Sequence, residues 1–242
     1  MKTYPGGKNG SGVYQSIINQ LPSHRVYIEP FLGGAAIMRL KRPALFSIGI
    51  DADADVIAGS ELPQALSGAQ LLVGDALQFL RSYDWRGDEL VYCDPPYLME
   101  TRSSQREIYR HELHADEEHR ALLSLLKTIP AAIAISGYWS ELYAQELTGW
   151  RMISFQTVTR GGKLATEWLW MNYPEPMELH DYRYLGSNFR ERERIKRKQK
   201  RWHARLERMP SVERYALLSA ISQLASPEMV GAARAEGLQR QN

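Results

Sequence analysis

A chain of 242 residues, 44% hydrophobic and 24% charged, has apolar material for one sizeable core plus a modest extension. Its single cysteine, Cys93, excludes an intrachain disulfide framework and any zinc cluster built on several thiolates, and it fits a reducing compartment. The net charge of +2 conceals an asymmetry: residues 183–208 hold eleven Lys or Arg against three Glu, so a local excess of eight positive charges sits beside a remainder of −6. No apolar stretch reaches the length of a membrane span, and Met1-Lys2-Thr3-Tyr4-Pro5 is unlike a charged-then-apolar leader, so a cytoplasmic location is expected.

In chain order the pattern alternates between strands and helices. Val26–Glu29 reads as a short strand, and Pro30–Ala36 as a Gly-rich turn into a helix through about Leu40. Leu45–Ile50 predicts a second strand ending at Asp51, with one helix over about 55–66 behind it. Gln70–Val73 predicts a third, closed by Gly74-Asp75-Ala76 and followed by a short helix over 77–81. Leu90–Cys93 is the fourth. Asp116–Lys127 has acids in its first turn and four leucines at helical spacing, and Ala131–Ile135 is a fifth strand. Met152–Thr159 and Glu167–Asn172 form an antiparallel pair around Arg160-Gly161-Gly162. Repeated βα units with such an edge predict an α/β fold with a doubly wound, Rossmann-like sheet carrying an antiparallel edge strand.

The composition shifts after Tyr173-Pro174-Glu175-Pro176, which sets an expected boundary between a domain over 1–176 and a basic helical extension over 177–242. Ile195, Trp202, Leu206 and Met209 fall on one stripe of a basic helix that Pro210 ends. Ser211 is placed to cap a second helix with Val212, Tyr215, Leu218, Ile221 and Leu224 on one face. These stripes read as packing, and the last dozen or so residues as frayed. A basic stretch this dense is an electrostatic footprint for phosphates, although charge runs also occur as plain solvated helix faces.

The chemistry concentrates at the predicted strand ends, where open α/β sheets bind their ligands. Asp94-Pro95-Pro96-Tyr97 follows the fourth strand directly. Two prolines fix φ near −65° and remove two N–H donors, so the Asp94 carboxylate and the Pro95 carbonyl form a stiff pair of acceptors suited to an exocyclic amino group. Tyr97 adds a flat face on which a planar base can stack. Asp-Pro and Pro-Pro are also ordinary turn dipeptides. Glu29-Pro30-Phe31-Leu32-Gly33-Gly34 would let backbone approach a ligand closely, and its lack of the Gly-x-Gly-x-x-Gly pattern disfavours a dinucleotide. Asp51 can accept from two ribose hydroxyls, and Asp75 closes the third strand. Each carboxylate alone reads as a cap or turn residue, but acids or Gly-rich turns at four successive strand ends suggest one cleft.

Tyr4-Pro5-Gly6-Gly7-Lys8, Glu29 to Gly34 and Asp94 to Tyr97, taken in that order, resemble the Dam-like DNA adenine-N6 methyltransferases; Glu167-Trp168-Leu169-Trp170-Met171-Asn172 is similar to that family's late edge strand. The resemblance covers about residues 1–173 and implies S-adenosyl-L-methionine as cofactor. It implies cofactor roles for Tyr4, Gly7 and Lys8 in an N-terminal loop, for Glu29, Phe31 and Gly33 around the methionine and ribose, and for Asp51 on the ribose hydroxyls. Asp75 would lie near the cofactor adenine, and Asp94 borders both cofactor and substrate. Asp94, Pro95, Pro96 and Tyr97 would hold the target base, with no covalent intermediate and no metal.

A target base inside duplex DNA would have to flip out to reach such a pocket. About forty residues separate Asp51 from Asp94, too few for the recognition domain that this family usually carries there. DNA contact is therefore expected from Arg102, Arg106, Tyr109 and Arg110 in the loop after the motif, and from Arg190, Arg194, Arg197, Lys198 and Arg201 in the basic arm. RNA adenine-N6 and DNA cytosine-N4 methylation remain open, because the same acceptor pair serves any exocyclic amine.

Overall fold

Every residue of Val26–Glu29 (β1) and of Glu89–Cys93 (β4) is buried. Strands covered on both faces are what a parallel sheet with helices on each side requires. The computed structural model describes residues 7–10, 12–101, 113, 115–158 and 162–224. Around β1 and β4 lie β2 (Phe46–Asp51), β3 (Gln70–Val73), β5 (Ala132–Gly137), β6 (Arg151–Val158) and β7 (Leu164–Met171), in the order β3-β2-β1-β4-β5-β7-β6. All neighbouring pairs from β3 to β5 are parallel, while β7 runs antiparallel to both β5 and β6. The expected doubly wound sheet is present, and its reversed strand sits one place in from the edge, which β6 occupies.

Side-chain alternation along the strands divides the core in two. Ile28, Val91, Cys93, Ile133 and Ile135 point to one face, packed with Leu80 of α4 (Ala76–Ser82), Leu122, Leu123 and Leu126 of α5 (Asp116–Thr128), and Leu142 and Tyr143 of α6 (Glu141–Glu146). Tyr27, Leu90, Tyr92, Ala134, Leu169 and Met171 point to the other, against Ile17 and Ile18 of α1 (Val13–Ile18) and Ile37 and Met38 of α2 (Ala36–Leu40). Gly49 on β2 is a packing glycine: a Cβ there would come within 2.7 Å of Leu32 and 3.0 Å of Leu71.

The single helix expected over 55–66 is instead broken. Only Ala54–Ala58 (α3) is α-helical, Gly59 caps it, and Gln64–Leu66 forms one 3₁₀ turn after Pro63. Proline has no N–H to continue a helical ladder, so the apolar spacing of Ile57, Leu62 and Leu66 is met by a turn that still packs on the core. Two helices not read from the sequence, α1 and α6, have six residues each, too few to show a helical period.

The chain divides into two units, Met1–Phe189 and Arg190–Asn242. In the first, residues 179–184 form a strap: His180 N–H donates to the Leu21 carbonyl, Arg42 N–H to Asp181, and the Tyr184 hydroxyl to the Leu40 carbonyl. The second carries most of α7 (Phe189–Glu207) and all of α8 (Ser211–Leu224). Of the apolar stripes expected to pack, Trp202, Val212, Tyr215, Leu218 and Ile221 are exposed, while Ile195, Leu206 and Met209 are half-buried and α7 fully buries none of its residues. The expected fraying at the carboxyl terminus falls outside the described residues.

Candidate active site at the strand ends

The sheet order reverses direction between β1 and β4, so the loops after these strands diverge and leave a crevice at their carboxyl ends. The first loop begins at Glu29 and the second at Asp94. Gly33 (φ 47°) and Ala35 (φ 52°) both adopt the left-handed conformation. For alanine that is an uncommon backbone state, of the kind that accumulates at ligand clamps. Asp51, closing β2, holds the loop in place: its carboxylate accepts from Gly33 N–H and Asp53 N–H, both at 2.9 Å, while its carbonyl accepts from Gly74 N–H at 3.0 Å. One aspartate thus ties together the turns after β1, β2 and β3. Asp75 acts as a helix cap, accepting from Gln78 N–H at the start of α4.

Glu29 is fully buried beneath this loop, where its Oε2 accepts from the Tyr27 hydroxyl at 2.9 Å and Met38 N–H at 3.2 Å. Burial pushes its carboxyl up to about 8, outweighing both hydrogen bonds, and the negative Asp94 adds to the rise. At neutral pH Glu29 therefore serves mainly as a neutral partner that fixes α2 to β1.

Four separated parts of the chain meet at Asp94. The Lys8 ammonium contacts both carboxylate oxygens, at 2.8 Å and 2.7 Å. Ser136, on β5, donates to Oδ1 at 2.9 Å and lies 3.0 Å from the Tyr92 hydroxyl. Because an ionised carboxylate only accepts, the consistent direction is Tyr92 O–H to Ser136, then Ser136 O–H to Asp94. Lys8 lies 5.0 Å from the centre of the Tyr97 ring and 3.8 Å from Glu167 of β7. Tyr138, just past β5, meets Tyr97 edge-on at 4.8 Å. Burial raises the Glu167 carboxyl above its ordinary range, while Lys8 and the Tyr97 hydroxyl favour its charged form. Burial likewise pushes the Cys93 thiol up, which leaves it a filler of the core rather than a nucleophile.

The structure thus brings Lys8, Asp94 and Tyr97 together, and sets Glu29, Gly33 and Asp51 at the neighbouring loop ends. Ser136, Tyr138 and Glu167 carry no site assignment from sequence; the available signals are that Ser136 and Tyr138 follow the end of a predicted strand and that Glu167 opens the edge-strand motif. Tyr4, Arg102, Arg106, Tyr109 and Arg110 lie outside the described residues. Arg190, Arg194, Arg197, Lys198 and Arg201 are exposed on α7, in the second unit. Their spacings of 4, 3, 1 and 3 put them on one face of a helix ~28 Å long, at 1.5 Å per residue.

A family model for the D12 class N6 adenine-specific DNA methyltransferases matches residues 58–148. The match runs from the end of α3 through α6 and contains Asp94–Tyr97, one of the three motifs that carry the Dam-like resemblance. Solved structures similar to the chain include the 23S rRNA methyltransferase ErmE, at 13% identity over 72% of this chain and 72% of that one, with a TM-score of 0.44. An rRNA methylase from Streptococcus thermophilus shares 12% identity over 65% and 93% of the two chains, TM-score 0.42. Precorrin 8W decarboxylase from Methanobacterium thermoautotrophicum shares 12% over 68% and 89%, TM-score 0.41. No curated protein matches the chain. No described helix is long and apolar enough to cross a membrane.

Proposed function

We propose that this chain is a DNA methyltransferase that transfers a methyl group from S-adenosyl-L-methionine to the N6 amino group of a flipped adenine. The observation that carries the reading is the Asp94 carboxylate, backed by Ser136 and Tyr92, standing beside Tyr97 at the reversal of strand order. The family match over this motif supports adenine N6 as the acceptor.

The residues around the crevice fit the cofactor. The left-handed backbone at Gly33 and Ala35 shapes the turn for close approach, and the Asp51 carboxylate is held at the end of β2 for the ribose hydroxyls. Phe31 and Gly33 would line the methionine side, with Glu29 fixing the loop from below. Gly7 and the neighbouring Tyr4 would belong to the same side of the cleft. Asp75 would stand near the cofactor adenine, a place compatible with its capping bond. When bound, S-adenosyl-L-methionine supplies an electrophilic methyl group on a sulfonium.

The nitrogen lone pair of an adenine amino group is delocalised into the ring, which makes the amine a poor nucleophile. Asp94 and the Pro95 carbonyl would accept its two hydrogens, bending it toward tetrahedral geometry and stabilising the positive charge that grows on nitrogen. Pro96 keeps the turn stiff, and Tyr97 stacks on the base. Holding amine and methyl donor in one orientation supplies much of the remaining acceleration. Extruding the base costs a few kcal/mol in lost pairing and stacking.

The cationic face of α7 is proposed to hold DNA phosphates, and the loop containing Arg102, Tyr109 and Arg110 to contact the site around the flipped base. Replacing Arg194, Arg197, Lys198 and Arg201 with alanine is expected to weaken DNA binding and to reduce the dependence of log affinity on log salt by roughly 3–4 units, about 0.9 for each phosphate no longer neutralised. Salt titrations of the two proteins measure this, and equal slopes would remove the arm from the DNA interface.

Labelled methyl transfer to duplex DNA, single strands and RNA, with identification of the modified base, tests the reading as a whole. The expected product is N6-methyladenine in DNA. Transfer to RNA alone would overturn the polymer assignment, and N4-methylcytosine the base assignment.

A further inference from the structure

The place assigned above to the substrate's amine is held here by one of the chain's own. The Lys8 ammonium puts N–H donors on both Asp94 oxygens, over the ring on which the base is proposed to stack. It resembles the reacting group in its hydrogen bonds and in carrying the positive charge that an attacking amine develops. Lys8 is nearly enclosed, with its side chain 4% exposed. The Lys8 ammonium spans both Asp94 oxygens, so an incoming amino group cannot take the same position, and a buried cation that leaves its counter-ion needs another. Glu167 provides one: it is 3.8 Å from the ammonium in the present arrangement, and a shift of about 1 Å would complete a charge-assisted hydrogen bond.

Resting on the methyltransferase reading, we propose that Lys8 is an internal stand-in for the target amino group, and that it passes from Asp94 to Glu167 when the base enters. Glu167 is then a positioning residue for substrate binding, acting through Lys8 and not on the base. Burial raises its carboxyl while Lys8 favours the ionised form, so an approaching ammonium stabilises the charge it needs as a partner. Lys8 also connects the amino-terminal loop to the base pocket: an amine able to displace an ammonium from Asp94 gains entry, whereas a base presenting only a carbonyl has no donor to offer that carboxylate.

The test is a double-mutant cycle on the full chain, with kcat and KM for adenine-containing duplex measured at saturating cofactor for wild type, Lys8→Met, Glu167→Gln and the double variant. Glu167→Gln removes the second station, so KM for DNA should rise roughly tenfold, with a smaller change in kcat, on the scale of coupling between residues in contact. Lys8→Met removes the competitor, so KM should fall. The double variant should show the low KM of Lys8→Met, because no ammonium remains to be relocated. If Lys8→Met does not fold, Lys8→Gln, neutral and still able to donate, takes its place in the cycle. Additive effects in the double variant, or an unchanged KM in both singles, would overturn the stand-in role while leaving the methyltransferase reading intact. A wild-type chain that methylates neither DNA nor RNA would overturn both.

Discussion

Asp94→Asn is expected to slow methyl transfer by about 10²–10³-fold at saturating cofactor, the scale on which one preorganised polar group aimed at developing charge contributes. The substitution preserves volume, but one oxygen acceptor becomes an NH₂ that faces the amine as a second donor. The geometry also constrains what else should change. Lys8 gives up its two short bonds to the Asp94 carboxylate, yet Glu167 stands 3.8 Å away to take the charge, so the fold should survive. Asp51 and the Gly33 turn are untouched, so cofactor affinity should stay within a few-fold. Single-turnover methyl transfer and calorimetric cofactor titration on the same preparation separate these outcomes. Loss of cofactor binding with the fold intact would mean that Asp94 belongs to the cofactor pocket alone.

Glu29→Gln should remove a loss of stability that the wild type suffers as pH rises from about 4.5 to about 8. The unfolded carboxyl titrates near 4.5, and burial raises the folded value to about 8. A raised folded value means that the native state holds its proton more tightly than the unfolded chain. The associated stability is complete below about 4.5, declines as pH rises, and is lost once pH passes about 8. At about 1.4 kcal/mol per pH unit, the full span is on the order of 5 kcal/mol. Glutamine can keep the carbonyl oxygen that accepts from Tyr27 and Met38 without a group that must ionise. Lys41, which burial lowers to about 7, works with the opposite sign, so the informative quantity is the difference between variant and wild type across pH. Chemical denaturation of both proteins from pH 4 to 9 measures it. A constant difference would show that Glu29 is ionised in the folded state.

The strands were legible because burial on both faces leaves continuous apolar runs such as Leu90–Cys93, bounded by acids and turn residues. α5 and α8 were legible because thirteen and fourteen residues suffice for a helical period and its caps. α1 and α6 were not, although Ser140 does cap α6 by accepting from Tyr143 N–H. The apolar residues of α8, Val212, Tyr215, Leu218 and Ile221, are exposed, since spacing specifies a face and not what lies against it. Asp94 and Tyr97 stood out from sequence because their chemistry is local: prolines, a carboxylate and a ring within four residues.

Their surroundings followed a different rule. Lys8, Asp94, Ser136 and Glu167 are spread over nearly 160 residues, and no spacing links an amino-terminal lysine to a glutamate on the seventh strand. By itself the sequence determined the parallel core, the rigid acceptor motif and the cationic helix, because each follows from periodicity, backbone restriction or charge along a contiguous stretch. Only the tertiary structure decided that Lys8 lies on that acceptor with Glu167 beside it, because strand order and the reversed β7 bring those positions together, and a buried charge must find its partner in space.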